Sequence, residues 1–166
     1  MKIAVFSDTH DNFELIHTAI GRIKELNAEL LIHCGDVCAP VTLGEIAEKW
    51  GKELHYCFGN VDGDRFLMHK LNADNPRIHH HGEELGFLEV GGRKIAFQHY
   101  PKIAHALAVS SEYDAVFYGH DHKKHAEYKG ETLLANPGNL CNIKHPPSFG
   151  IYETEDNSIE HFDLEV

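Results

Sequence analysis

The 166-residue sequence predicts an α/β fold of two packed, mixed β-sheets flanked by helices. Three observations predict it. The first third of the chain alternates short apolar runs with segments of helical periodicity, while the second half breaks into short strands joined by tight turns. A hydrophobic content of 42% over this length suits one core, in a single domain spanning 1–166. No linker, repeat or low-complexity stretch divides it.

Taken in order, Lys2–Ser7 is apolar and β-branched and reads as a buried strand, with Asp8-Thr9-His10-Asp11-Asn12 as the loop after it. A helix follows, because Phe13, Ile16, Ile20, Ile23 and Leu26 recur at helical spacing, with Asn12 as N-cap and Asn27 near the end. The pattern repeats as a strand at Leu30–His33, a loop through Cys34-Gly35-Asp36, a helix around Val41–Lys49 and a strand at Leu54–Phe58. Such alternation implies parallel β-α-β units, whose sites gather beyond the carboxyl ends of the strands. The loops carrying Asp8/His10, Asp36 and Gly59-Asn60 should therefore meet.

Farther along, Leu85–Val90 and Arg93–Gln98 form a hairpin around Gly91-Gly92, and Ile103–Ser110 a short helix. Ala115–Tyr118 is another buried strand. Ala126–Tyr128, Leu133–Ala135, Phe149–Tyr152 and Ser158–Phe162 are short strands, with turns at Lys129-Gly130 and Asp156-Asn157. His79-His80-His81, after Asn75-Pro76, reads as an exposed connection rather than a metal site.

Composition excludes several functions. No apolar run approaches the roughly 20 residues of a membrane span, and Met1–Phe6 is too short for a signal-peptide core, so a cytoplasmic chain without a membrane partner is expected. A net charge of -11 argues against a nucleic-acid polymer as the main partner. Any bound phosphate needs local positive charge, which divalent metal can supply. Cys34, Cys38, Cys57 and Cys141 offer only one ligand-like spacing, Cys34 to Cys38, and read as buried free thiols rather than a zinc site.

Asp8 and His10 lie two residues apart after a strand, so in extended backbone both side chains project to one side and can grip one ion. A turn with a helix N-cap accounts for them equally. His120 and His122 repeat the arrangement after Ala115–Tyr118, with Gly119 letting the chain bend and Asp121 pointing away; a solvated histidine turn is the plainer account. His99 closes Ile95-Ala96-Phe97, where a core histidine also fits. Asp36 can bridge two ions or cap the following helix, and Asn60 offers an amide oxygen and donor or a left-handed turn. The separate alternatives do not predict carboxylate, imidazole and amide groups at every successive strand end. A mixed N/O two-metal hydrolase requires them there.

In order and spacing, Ser7-Asp8-Thr9-His10, Gly35-Asp36, Gly59-Asn60, His99 and Gly119-His120-Asp121-His122 resemble the calcineurin-like metallophosphoesterase family. Over essentially its whole length the chain looks most like the small single-domain phosphodiesterases of that family, a likeness reinforced by Gly59-Asn60-Val61-Asp62 and Asn136-Pro137-Gly138. The resemblance implies that Asp8, His10, Asp36 and His122 bind one metal and that Asp36, Asn60, His99 and His120 bind a second, with Asp36 bridging. It implies two divalent transition-metal ions per chain, Mn²⁺ foremost, with Ni²⁺, Fe²⁺ and Zn²⁺ also suited to the donors. A hydroxide bridging the ions would attack phosphorus in line, and the substrate would be a small phosphodiester.

The chain also departs from the family. Many relatives carry a histidine directly after the asparagine, where this chain has Val61 and then Asp62, so Asn60 and Asp62 become the candidate catalytic groups and leaving-group protonation is unassigned. Small relatives often have Gly-His after the strand-end histidine; here His99 is followed by Tyr100-Pro101. Arg65 is the candidate substrate contact, with Lys102 and Lys123 further candidates, although lone surface charge also explains each. The competing functions are a phosphomonoesterase and a non-enzymatic scaffold resembling the retromer subunit of this fold, which has lost ligand side chains that this chain keeps. An exonuclease is disfavoured by the acidic chain and missing cap, and His120-Asp121-His122-Lys123-Lys124-His125 does not supply the His-x-His-x-Asp-His of a metallo-β-lactamase-type hydrolase. A homo-oligomer is left open.

Overall fold

The computed structural model describes residues 1–82 and 85–165. Among these, two mixed sheets pack face to face with four helices outside, the architecture the sequence predicts. Strand β1 (Lys2–Phe6), helix α1 (Phe13–Glu25), β2 (Leu30–His33), α2 (Pro40–Trp50), β3 (Leu54–Tyr56), α3 (Arg65–Asp74) and β4 (Ile78–His80) come first. They are followed by β5 (Leu85–Val90), β6 (Arg93–Gln98), α4 (Pro101–Ser110), β7 (Ala115–Phe117), β8 (His125–Lys129), β9 (Thr132–Asn136), β10 (Ser148–Glu153) and β11 (Ser158–Asp163).

One sheet has the order β11-β10-β1-β2-β3-β4 and the other β5-β6-β7-β9-β8. Strands β1 to β4 run parallel, as do β6, β7 and β9, and the antiparallel strands lie at the flanks. Parallel strands covered on both faces need apolar side chains on both, which is why β1 is an unbroken run rather than an alternation. Its Ala4 and Phe6 face α1 and α2 with Ile16, Ile23, Leu43 and Trp50, and its Ile3 and Val5 face the second sheet with Ile95, Phe97 and Phe117. Outside the second sheet, Ala104 and Ala108 of α4 pack on Ala96, Val116 and Leu134.

Local chemistry sets the element ends. The Asn12 side chain accepts from Leu15 N at 3.2 Å and starts α1 as expected. Helix α2 starts at Pro40, and its N-terminus is held by Asp11, whose Oδ1 accepts from Ala39 N at 3.0 Å and from the Thr42 hydroxyl. That capping role does not fall to Asp36. Gly91 and Gly92 have φ of 59° and 75°, the left-handed pair that a tight hairpin turn needs.

The structure departs from the sequence pattern at three places. Phe13, which opens the helical spacing, is 37% exposed at the first position of α1. The sequence reading placed no helix at Arg65–Asp74, whose only buried residue is Met68, so its apolar period is faint. The triplet His79-His80-His81 is half-buried rather than an exposed connection, with His79 and His80 in β4, hydrogen-bonded to β3.

Candidate metal centre

The carboxyl ends of β1, β2, β3, β6 and β7 deliver Asp8/His10, Asp36, Asn60, His99 and His120/His122 to one place. The Asp36 Oδ2 lies 3.6 Å from His10 Nε2 and 3.3 Å from His99 Nε2. Asp8 Oδ1 stands 3.8 Å from His10 Nε2 and 3.3 Å from His122 Nε2. On the other side, Asn60 Oδ1 is 3.0 Å from His99 Nε2 and 2.8 Å from His120 Nδ1. All seven expected donors therefore converge, in two groups that share Asp36.

The convergence does not arise as the extended-backbone argument supposed. Asp8, His10, Asp36, His120 and His122 have φ of 51°, 41°, 60°, 76° and 63°, so each sits in the left-handed region and turns its side chain inward from a coiled loop. Non-glycine residues there cost about 1 kcal/mol each, and clusters of them mark sites where the surroundings over-determine the backbone.

The donor set fits bound metal by an independent sign. Asp8 Oδ1 and His10 Nε2 are buried and have no hydrogen-bond partner, a costly state for polar atoms unless an ion completes them. Coordination bonds of about 2.1 Å set neighbouring donors roughly 3.0–3.4 Å apart, close to the spacings found here. The outer ring nitrogens are also set for ligation. His99 Nδ1 donates to Cys34 O at 2.9 Å and His122 Nδ1 to Ile143 O at 3.2 Å, which leaves each Nε2 lone pair facing the carboxylates.

Charge reinforces the grouping. Burial alone would raise the Asp8 carboxyl, but the imidazoles of His10 and His122 hold it well below the usual carboxylate range. Asp36 is likewise lowered against burial, chiefly by His99. Burial would lower His99, yet Asp36 and Asp8 raise it, and Asp8 raises His122. Ligand imidazoles must be neutral, so the upward shifts of His99 and His122 make metal uptake compete with their protonation. Cys38 and Cys141 flank the cluster, each Sγ 3.5 Å from a histidine Nδ1, but burial pushes the Cys38 thiol up to about 12 and raises Cys141 also. Neither presents a thiolate. All four cysteines are free.

Several supporting residues escaped the sequence reading. Gly35 N donates to His33 Nδ1 at 3.2 Å, so His33 Nε2 carries the proton and donates to Thr9 Oγ1 at 3.2 Å, and the Thr9 hydroxyl donates to Asp36 O at 3.3 Å. This buried chain ties the β1 and β2 loops together. Asn139 Nδ2 donates to His122 O at 3.0 Å, and Asn136 Nδ2 to Gly119 O at 3.1 Å and Asp121 Oδ1 at 2.7 Å.

Asp62 and Arg65, expected near the chemistry, face the loop backbone. Asp62 accepts from Asp36 N at 3.0 Å, Cys38 N at 2.7 Å and Gly59 N at 2.6 Å. Arg65 donates to Gly59 O at 3.0 Å, with its guanidinium 4.8 Å from the centre of the Phe58 ring. Lys102 and Lys123 are exposed. Asn60 and His120 form the solvent-facing rim, whereas a cavity of about 550 Å³ lined by Phe87, Ile95 and Tyr113 holds none of the donors.

Comparison with known proteins bears on the family and the fold. The sequence profile of the calcineurin-like phosphoesterase superfamily domain matches residues 1–157. Phosphodiesterase MJ0936 of Methanocaldococcus jannaschii is 31% identical over 172 residues, covering 99% of this chain and 100% of that protein. A solved archaeal phosphodiesterase superposes with a TM-score of 0.89 at 30% identity, over 99% of this chain and 100% of that one. Vps29 of Entamoeba histolytica complexed with Zn²⁺ gives 0.68 at 18% identity, over 98% of this chain and 99% of that one, a likeness of fold alone.

Proposed function

We propose that this chain, which belongs to the calcineurin-like phosphoesterase superfamily, is a dinuclear metal-dependent phosphodiesterase acting on small diesters, with residues 1–166 working as one domain. That it is a metal-dependent phosphoesterase follows from the family. The finer reading rests on the sharing of Asp36 Oδ2 between two donor groups, at 3.6 Å from His10 Nε2 and 3.3 Å from His99 Nε2.

In this reading Asp8, His10, Asp36 and His122 hold one ion, and Asp36, Asn60, His99 and His120 the other, with Mn²⁺ the first ion to try. When bound, the pair supplies Lewis-acid polarisation of the phosphoryl oxygens and a hydroxide nucleophile near neutral pH. The chain's own groups do the positioning. Asn60, exposed at the rim, presents its amide to a phosphoryl oxygen. Asp62, with its carboxylate engaged by three backbone N–H groups, holds the Asp36 and Asn60 loops in register and is not placed to protonate a leaving group. Departure of the leaving group then depends on its own stability, so activated aryl diesters are cut faster than alkyl ones. A diester carries one negative charge where a monoester carries nearly two, which suits a rim without an arginine cluster.

Among the described residues no helix is long and apolar enough to cross a membrane. The four free cysteines fit a reducing compartment, which supports a cytoplasmic location. A non-enzymatic scaffold is the competing function, and retention of all seven donors argues against it.

The test is exhaustive chelation followed by return of Mn²⁺, with matched aryl mono- and diesters as substrates. Activity should vanish and return, with the diester preferred in kcat/KM. Full activity after verified metal loss would sink the mechanism, and a marked monoester preference would sink the substrate class.

A further inference from the structure

Away from the loop cluster, five histidines gather where β3 and β4 meet at the edge of the six-stranded sheet. His55 and His79 are register partners in this parallel pair, and their rings stack with centroids 4.5 Å apart and 17° between planes. His81 lies on the same face, edge-on to Phe97 of the second sheet, while His80 turns to the opposite face against Phe58 and His69.

Three ring nitrogens in this group are unmet, that of His80 on the opposite face and two on the face of the His55–His79 stack. His55 is 7% exposed, and its buried Nε2 has no hydrogen-bond partner; the same is true of His79 Nε2. The Glu53 carboxylate stands 3.6 Å from His55 Nε2, and one donor atom from each of Glu53, His55 and His79 lies within 4.8 Å of the others.

We propose that Glu53, His55 and His79 form a second transition-metal site of zinc type, separate from the loop cluster, which clamps β3 to β4. His55 Nδ1 is 2.8 Å from His81 Nε2. With the proton on Nδ1, His55 donates to His81 and leaves its Nε2 lone pair to the ion, the arrangement that orients metal-bound histidines generally. Burial, reinforced by His79 and His81, pushes His55 down to about 3, so its ring is neutral across the physiological range, and burial lowers His81 as well. Two imidazoles with one carboxylate is a borderline donor set that Zn²⁺ accepts in tetrahedral geometry, with water completing the shell. That geometry spaces donors roughly 3.3 Å apart, somewhat closer than the present spread. The Glu53 side chain, 61% exposed, is the arm that closes on the ion, and the half-buried His79 ring tilts from its stack to meet it.

The alternative is a neutral stack of histidines with no ligand, and metal counting separates the two. Chelator-stripped wild type, Glu53→Gln and His79→Gln are dialysed to equilibrium against Zn²⁺ and analysed for zinc per chain. Thermal unfolding of the metal-free proteins checks the fold. Glu53→Gln alters an exposed side chain and keeps the test open should His79→Gln misfold. The expected result is one Zn²⁺ fewer per chain in each variant, with wild-type diester hydrolysis at saturating Mn²⁺. Loop-cluster metal is common to every arm, so the difference stands whatever that cluster binds. Equal zinc uptake by the wild type and either folded variant would overturn the proposal.

Discussion

Replacing Gly59 by Ala would test whether the Asp36 carboxylate is the pivot of the metal centre. A Cβ on Gly59 would stand 2.1 Å from Asp36 Oδ1 and 2.7 Å from Asp36 N. Non-bonded carbon and oxygen rest at roughly 3.3 Å or more, so the carboxylate must retreat by about 1 Å. The 3.0 Å bond from Val61 N to Oδ1 goes with it, and Oδ2 is carried away from His10 and His99. Metal sites tolerate displacements of about 0.2 Å. The Mn²⁺ affinity should therefore fall about 10- to 100-fold, the usual effect of disturbing groups that support ligands. That corresponds to about 1.4–2.8 kcal/mol, the same scale as the 1–3 kcal/mol typical of overpacking, about which the metal-free protein should lose in stability. Titration of Mn²⁺ against aryl diester hydrolysis gives the apparent metal constant, and thermal unfolding in chelator gives the stability. Gly21→Ala in α1 is the control, since nothing lies within 4 Å of its Cβ; it should be neutral or stabilising by about 0.4–1 kcal/mol. A Gly59→Ala protein with the wild-type metal constant and Tm would refute the reasoning.

Three further outcomes are expected. Asp36→Asn should lower both metal content and kcat/KM, whereas Asp74→Asn, at an exposed position, should change neither; metal analysis beside kinetics decides, and a near-wild-type Asp36→Asn would remove the bridge. Asp62→Asn turns an amide toward backbone N–H groups, so the apparent metal constant should worsen while the dependence of rate on leaving-group pKa stays the same; a steeper dependence with intact metal binding would make Asp62 an acid after all. In metal-free protein, burial pushes His33 down to about 4, against about 6.5 unfolded. The unfolded chain takes the proton first, so the contribution is fully present above about pH 6.5 and is lost as pH falls toward 4, about 3 kcal/mol in all and roughly two-thirds of it by about pH 5. Urea unfolding near pH 7.5 and pH 5 should show this loss in wild type but not in His33→Gln, and equal losses in the two would be evidence against it.

The β-α-β half of the fold was legible because its strands are buried on both faces and its helices carry apolar stripes. Helix α3 and strand β4 were not. With only Met68 buried, α3 has almost no stripe, and β4 is built from histidines whose burial comes from neighbours distant in sequence. The donors were legible at strand ends, although the extended geometry invoked for Asp8 and His10 was not the one that brings them together. The supporting residues were hidden for a plain reason. Thr9 meets His33 across 24 residues and Asn139 meets His122 across 17, and no local spacing encodes either contact.

The left-handed backbone at Asp8, His10, Asp36, His120 and His122 bears on how such a chain would drift if it were released from catalysis. Glycine at any of these positions would relieve up to about 1 kcal/mol, and together they approach the lower end of a domain's total stability of about 5–15 kcal/mol. Selection for folding alone would therefore favour their replacement early, before the buried strands changed at all. A descendant kept only as a scaffold should first show glycine or asparagine at these five places, on an otherwise unaltered pair of sheets. This chain holds aspartate or histidine at every one of them, against the preference of the backbone there.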